Sequence, residues 1–145
     1  MFAPTPVPAA KLTDRDGAPV LLKRGEGIHL MNCDPSATSI GYMSAVIYCA
    51  NDSDCSNPSY GHSSNNVCVM STSNFHTWEG STQSCTFSTG VTFSWNIGRQ
   101  AQSSPDYSYV GSGANNYRTF AGYKDDKHLG GTYNGHYCRS IYYYI

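Results

Sequence analysis

The stretch that decides the fold is residues 78–97, WEGSTQSCTFSTGVTFSWNI, in which two alternating runs flank a break at Ser88-Thr89-Gly90. After the break, four apolar side chains fall on one face of the chain, namely Val91, Phe93, Trp95 and Ile97. This period of two is typical of a half-buried β-strand. Short polar side chains on the opposite face predict either a solvated outer sheet surface or a second hydrogen-bonded layer. They are Thr86, Thr92, Ser94 and Asn96. Because Gly90 can adopt the positive φ that a tight loop needs, the stretch predicts a central hairpin.

The same alternation recurs along the rest of the chain and extends the prediction to a whole sheet. Further strands are predicted at residues 28–33, 40–49, 67–70, 75–78, 107–110, 117–123 and 137–145. Residues 40–49 are apolar on both faces, which indicates a central strand. Polar residues 50–66 are predicted to form a loop, and Gly130-Gly131 and Asn134-Gly135 are turn signals. No segment shows a helical apolar stripe. The chain is therefore predicted to be all-β, a compact antiparallel barrel or sandwich of about eight to ten short strands.

Length and composition limit the kind of protein this is. The chain has 145 residues, which fit a single domain over residues 1–145. Charged residues make up 13% of it and the formal net charge is -1, with no basic run longer than Lys23-Arg24. Nucleic acid is therefore not expected as a partner. No apolar run approaches the roughly 20 residues that cross a bilayer, so membrane insertion is not expected either.

Residues 1–24 differ in composition from the rest. They hold four of the seven prolines and four of the nine basic residues, and they contain no Tyr, Trp or Cys. We interpret them as a leader or pro-segment that ends at the dibasic pair Lys23-Arg24, with residues 25–145 as the β core. Alternatively, residues 18–22 pack against the core as an edge strand, where proline is tolerated.

The six cysteines are predicted to brace the sheet. Their even number, in a small chain rich in Gly and Tyr, favours three disulfides and an oxidising, extracellular compartment. A zinc site is disfavoured because even the nearest pair, Cys49 and Cys55, is separated by five residues.

The disulfide partners are predicted from the order of the strands. Cys33 is expected to pair with Cys138, which joins the first and last strands of the cysteine-bearing region. The other four cysteines allow three pairings. Of these we prefer Cys55 with Cys68 and Cys49 with Cys85.

The case for catalysis starts from Glu79, which follows a tryptophan in the central stretch. An aromatic neighbour can raise the pKa of a carboxyl group and so make it a general acid or base. With His76, His136 and either Arg99 or Arg139, Glu79 completes the residue types of small guanyl-specific fungal ribonucleases. The local sequence of that family is absent. The competing interpretation is that Glu79 hydrogen-bonds a turn, and we assign no catalytic residue.

Metal and cofactor motifs are also absent from the sequence. The five histidines, at positions 29, 62, 76, 128 and 136, form neither an i,i+4 pair nor an HExxH run. Asp52-Ser53-Asp54 and Asp125-Asp126 lack the glycine and distal glutamate of a calcium loop, so these acids are predicted to be solvated. We therefore expect no metal and no cofactor. Asn51-Asp52-Ser53 is the single N-glycosylation sequon.

Tyrosines crowd the C-terminal part of the chain, where the last forty residues hold nine of the twelve. An exposed group of them would suit sugar stacking or a protein partner, because Tyr joins a flat apolar face to a hydrogen-bonding tip. The competing interpretation is that the rings fill the wall of the barrel. Because a strand exposes only one parity, about half of Tyr137, Tyr142, Tyr143 and Tyr144 should be core.

Four segments carry a resemblance that extends over residues 25–145. They are WEGSTQSCTF, VTFSWNI, YVGSG and the terminal YCRSIYYYI. With a leader ending at Lys23-Arg24, they resemble the hypersensitive-response-inducing elicitor proteins secreted by the rice blast fungus. The resemblance implies a secreted protein that the plant perceives, after which cell death and defence genes follow. It implies no enzyme activity and assigns no site residues.

We therefore expect a secreted, extracellular, monomeric and non-enzymatic elicitor. Its expected partner is a plant cell-surface protein or a cell-wall glycan. Two other functions stay open, a carbohydrate-binding wall module and a small secreted hydrolase of the ribonuclease type. Cell-death activity that survives Glu79→Gln would argue against the hydrolase. Binding to chitin or glucan through exposed tyrosines would favour the wall module.

Overall fold

The computed structural model describes residues 25–145. The leader, its dibasic end at Lys23-Arg24 and the edge strand predicted at residues 18–22 lie outside the described residues. No helix within residues 25–145 is long and apolar enough to span a bilayer.

Nine antiparallel strands and no α-helix make up the regular structure of the described chain apart from short 3-10 turns, which confirms the predicted all-β class. They are β1 (Gly27–Pro35), β2 (Met43–Cys49), β3 (Val67–Ser71), β4 (Gln83–Thr86), β5 (Thr92–Trp95), β6 (Tyr109–Ala114), β7 (Thr119–Lys124), β8 (Leu129–Tyr133) and β9 (His136–Tyr144). Three short 3-10 turns interrupt them: η1 (Asp52–Ser56), η2 (Ser64–Asn66) and η3 (Ala101–Ser103). The predicted hairpin is β4–β5, and Gly90 in its loop has the expected positive φ, 93°. It is not central, however, because β4 is an end strand of the sheet.

The sheet curls until its two ends meet. Its strand order is β3-β2-β1-β9-β7-β6-β5-β4, and β8 pairs with β9 beside this path. The end strands β3 and β4 are joined by the disulfide between Cys68 and Cys85. A nearly closed, barrel-like sheet results, and in the chain-entropy account this cross-link stabilises it by about 3 kcal/mol.

The inside of the barrel is an aromatic core. Its large, almost fully buried side chains are Trp78, Phe93, Trp95, Tyr142 and Tyr144. Phe93 is the centre, with ring contacts to Trp95, Phe120 and Tyr144 at centroid distances of 5.2 to 5.9 Å. Edge-to-face and offset contacts of this kind add to the hydrophobic free energy of burial.

A second, smaller core lies on the outer face of β1 and β2, beneath η1 and β8. It consists of Met31, Cys33, Met43, Ala45, Ile47, Cys49, Cys55, Val67 and Cys138. This explains why residues 40–49 are apolar on both faces, and β2 is indeed central, between β1 and β3. The disulfide Cys33–Cys138, predicted from the sequence, joins directly paired residues of β1 and β9 here.

A β-bulge in β9 lets one strand serve both cores. Tyr142 pairs with Leu30, but Ser140 pairs with Met31, so Ile141 is the extra residue. Without the bulge, every even-numbered residue of β9 would share a face. With it, Cys138 and Ser140 lie toward the outer core, while Tyr142 and Tyr144 lie inside the barrel.

Two of the predicted disulfides were wrong. Cys49 pairs with Cys55 and Cys68 pairs with Cys85, instead of Cys49 with Cys85 and Cys55 with Cys68. The reason is the face on which each side chain lies. Cys68 and Cys85 belong to the barrel interior, whereas Cys49 and Cys55 belong to the outer core, across the sheet.

Two local predictions were also wrong. Residues 75–78, predicted to be a strand, have no regular structure. Gly130 and Gly131, interpreted as a turn, lie buried within β8. A Cβ at Gly130 would lie 2.3 Å from the carbonyl oxygen of Cys55, so these glycines permit a close approach of two chain segments rather than a reversal.

Candidate functional site

A row of aromatic rings crosses the outside of the barrel. Tyr109, Tyr123, Tyr143 and His29 occupy directly paired positions on β6, β7, β9 and β1. The centroids of successive rings are 6.1, 5.3 and 6.0 Å apart. Direct cross-strand pairing is what places these rings side by side, since paired residues share a face. We call the three tyrosines of this row, Tyr109, Tyr123 and Tyr143, the tyrosine face.

Exposure increases along the row away from His29. His29 is buried, Tyr123 and Tyr143 are half-buried, and Tyr109 is 62% exposed. The ring of Tyr109 stands edge-on to that of Tyr123, at an interplanar angle of 78°. Burial, with the neighbouring Tyr109, raises the pKa of Tyr123 above its usual value. The hydroxyl of Tyr123 therefore stays protonated and remains a neutral hydrogen-bond donor.

Small, uncharged side chains continue this outer surface across β4 to β7. The outward positions, given by strand register, are Ser84, Thr86, Thr92, Ser94, Ser112, Ala114, Thr119 and Ala121. The hydroxyls of Thr86 and Thr92 hydrogen-bond each other across the hairpin, at 2.7 Å. The outer face of the hairpin is thus a surface of small hydroxyl and methyl groups next to the tyrosines, in agreement with the solvated face that the sequence predicted.

Tyr107 lies beside this surface in an uncommon backbone conformation. Its φ is 70°, in the left-handed region that non-glycine residues seldom adopt, and its side chain is 58% exposed. The phenol donates a hydrogen bond of 2.6 Å to the carboxylate of Asp126. This bond raises the pKa of Tyr107 to about 12.

At its inner end the row meets a buried polar network around His29. Nε2 of His29 lies 2.8 Å from the carboxylate of Asp52, and Nδ1 lies 2.7 Å from the hydroxyl of Ser140. That hydroxyl gives its single proton to Asp125, so Nδ1 of His29 is a donor. Both ring nitrogens of His29 are therefore within hydrogen-bond distance of side-chain oxygens.

This network corrects the prediction that the loop acids are solvated. Asp52 is 8% exposed and Asp125 is 2% exposed. Both carboxylates are buried because they contact the buried His29. Gly27 makes room for Asp52, since a Cβ there would lie 1.8 Å from its carboxylate oxygen. Asn51 of the sequon is exposed and accepts hydrogen bonds from Ser53 at the start of η1.

His128 connects the network to the surface. Its hydrogen bond to Asp125, with that to Asp126, outweighs burial and raises the pKa of His128 to about 9. For Asp126, burial alone would raise the pKa, but hydrogen bonds from Tyr107 and His128 hold it at about 2. Ligand atoms of Asp125, Asp126 and His128 lie within 4.8 Å of one another, a geometry that can hold a cation. In the structure the three side chains bond one another and their neighbours.

Glu79 lies at one end of the barrel, away from the outer face. It accepts a hydrogen bond of 2.6 Å from the buried hydroxyl of Tyr142, and Gln102 donates to that hydroxyl at 2.7 Å. The prediction that Glu79 bonds a turn was therefore wrong, since its partner is a core phenol. Arg99 lies close by, as a Cβ at Gly80 would be 3.8 Å from its Nε.

The other candidate catalytic residues are engaged elsewhere. His76 packs edge-on against Trp78 and bonds the side chain of Gln83. His136 bonds the carbonyls of Asn134 and Gly41 at the start of β9. That position is six residues from Tyr142, or about 20 Å along a strand.

Arg139 is also separate from Glu79. Its guanidinium lies 3.4 Å from the carboxylate of Asp34, near the C-terminal end of β1. Within residues 25–145, the hydrogen bonds of Glu79 go to Tyr142 and Gln102, and neither His136 nor Arg139 reaches it.

The tyrosine face offers aromatic stacking and neutral hydrogen bonds, which are means of binding rather than of bond cleavage. No family model matches the chain, and comparison with curated proteins and with solved structures also gives no match.

The prediction that about half of the C-terminal tyrosines are core was confirmed. Tyr142 and Tyr144 are core, whereas Tyr143 lies on the outer face and Tyr137 is 50% exposed.

Proposed function

We propose that this protein is a secreted, non-enzymatic elicitor that a plant perceives through its outer surface, with a cell-surface protein or a wall glycan as the partner. The observation that carries the proposal is the tyrosine face, a row of partly exposed rings on a rigid sheet. Tyrosine combines contact area, a polar tip and low conformational entropy, and it is enriched where proteins recognise partners.

The bracing of the sheet supports this proposal. Three disulfides join the described cysteines, and one of them closes the barrel. Disulfides of this density are typical of small extracellular proteins. A surface held in this way keeps its shape outside the cell, where recognition of an elicitor takes place.

The separation of the acid–base candidates favours recognition over hydrolysis. Glu79 bonds a core tyrosine, whereas His136 bonds the carbonyl of Gly41 and Arg139 bonds Asp34 of β1. A ribonuclease-type mechanism needs an acid, a base and a cationic group around one reacting phosphate. Of the residues that suggested it, Arg99 lies near Glu79, but neither His136 nor Arg139 meets them.

The test is infiltration of the folded protein into leaves, scored for necrosis. We expect necrosis from the folded protein and from Glu79→Gln, and none after reduction of the disulfides. Glu26→Gln is a matched control, because Glu26 also accepts a bond from a tyrosine hydroxyl, that of Tyr48 at 3.0 Å.

Two outcomes would overturn the proposal. One is the absence of necrosis from the folded protein. The other is a loss of orders of magnitude in Glu79→Gln alone, with the melting temperature unchanged and Glu26→Gln still active, which would indicate chemistry at Glu79.

A further inference from the structure

We propose that the tyrosine face binds a neutral, extended polysaccharide, with the sugar chain lying across strands β6, β7 and β9. This names the partner class for the proposed function and therefore rests on it. Tyr109 would be the main stacking platform, and Tyr123 would extend the contact toward Tyr143.

The shape of the surface favours a sugar chain. The exposed rings form a line one ring wide, because their strands are neighbours and their positions are paired. The line crosses three strands and so covers about 10 Å. A protein partner of ordinary size would need a broader, desolvated centre with several apolar anchors. Here the line is bordered by Ser112 and Ala121, which are small and leave it open.

The charge of the surface favours a neutral ligand. The outward positions of β4 to β7 carry Ser, Thr and Ala side chains. The nearby Lys124 is 8% exposed and bonds Asp106 at 2.6 Å, so its charge is already compensated. Anionic polymers require unpaired basic groups along their path. An uncharged polyhydroxy chain requires none.

The polar groups suit sugar hydroxyls. Within residues 25–145, no group hydrogen-bonds the hydroxyls of Tyr109 and Tyr123, although each phenol can donate one bond and accept another. Apolar C–H edges of a pyranose would stack on the ring of Tyr109, while its hydroxyls would bond the tyrosine tips. The left-handed backbone at Tyr107 adds a further exposed ring beside them.

The test measures depletion of the full-length protein from solution by particles of an insoluble β-glucan and, separately, of chitin. We expect retention on at least one of them. Tyr109→Ala and Tyr123→Ala should each weaken it about tenfold, as the loss of one aromatic contact implies. Tyr137→Ala is the matched control, since Tyr137 is 50% exposed on the same strand as Tyr143 but pairs with Asp34, on the other side of the sheet.

Retention on the β-glucan alone or on chitin alone supports the inference and identifies the sugar. Retention on neither material overturns it, as does an equal loss in Tyr137→Ala. The outcomes also separate this inference from the proposed function. Retention without necrosis in leaves would reject only the elicitor, and necrosis without retention would reject only the polysaccharide.

Discussion

Three consecutive tyrosines of β9 lie on two sides of one sheet. Tyr142 and Tyr144 are 0% exposed inside the barrel, whereas Tyr143 lies outside in the tyrosine face. The inner pair is tightly enclosed. A Cβ at Gly122 would lie 2.4 Å from the ring of Tyr144, so the interior there accepts only glycine. The comparison shows that strand parity, not residue type, decides which tyrosines stabilise the barrel and which are available to a partner.

The largest expected effect is on the inner side of this comparison. Tyr144→Ala should lower the free energy of unfolding by about 3 to 5 kcal/mol, the range for buried aromatic side chains, because it leaves a cavity between Phe93 and Gly122. Tyr143→Ala should cost about 1 kcal/mol, since it loses ring contacts at a half-exposed site. Urea denaturation of both variants measures the difference. Equal losses would contradict the assignment of inner and outer faces.

A smaller effect is expected from the network at the end of the row. The pKa of His128 is raised from 6.5 to about 9 on folding, first by its bond to Asp125. Protonated His128 therefore stabilises the fold fully below pH 6.5, and this contribution is lost as the pH rises through 9. Allowing for its partial exposure, the contribution is about 1 to 2 kcal/mol.

The check is unfolding by urea between pH 6 and pH 10 for the wild type and His128→Gln. We expect the free energy of unfolding of the wild type to fall across this window and that of the variant to change less. Parallel curves would show that the bonds of His128 to Asp125 and Asp126 do not distinguish the folded from the unfolded state.

The sequence predicted the fold class because alternation is a local property. The hairpin around Gly90 and the two-sided strand at residues 40–49 followed from period and turn chemistry alone. The disulfide partners of Cys49 and Cys68 could not be predicted in this way. The partner of each cysteine depends on which face of the curled sheet its side chain occupies. The strand through Gly130 was missed for a similar reason, as its glycines respond to the distant carbonyl of Cys55.

The candidate site was predictable in kind but not in position. The number of tyrosines and the parity rule predicted that some rings would be exposed. Their alignment depends on the register of β6, β7 and β9, which no local pattern specifies. The network was not predicted at all, because His29 meets Asp52 and Asp125 only after the sheet has closed.

The central claim, that the molecule recognises its partner through the tyrosine face, is tested most directly by nuclear magnetic resonance. Backbone amide shifts would be followed while soluble β-glucan or chitin oligosaccharides are added. We expect changes confined to residues 107–112, 121–124 and 142–144. Changes centred on residues 76–80 and 97–102, around Glu79, with the tyrosine face unaffected, would contradict the claim.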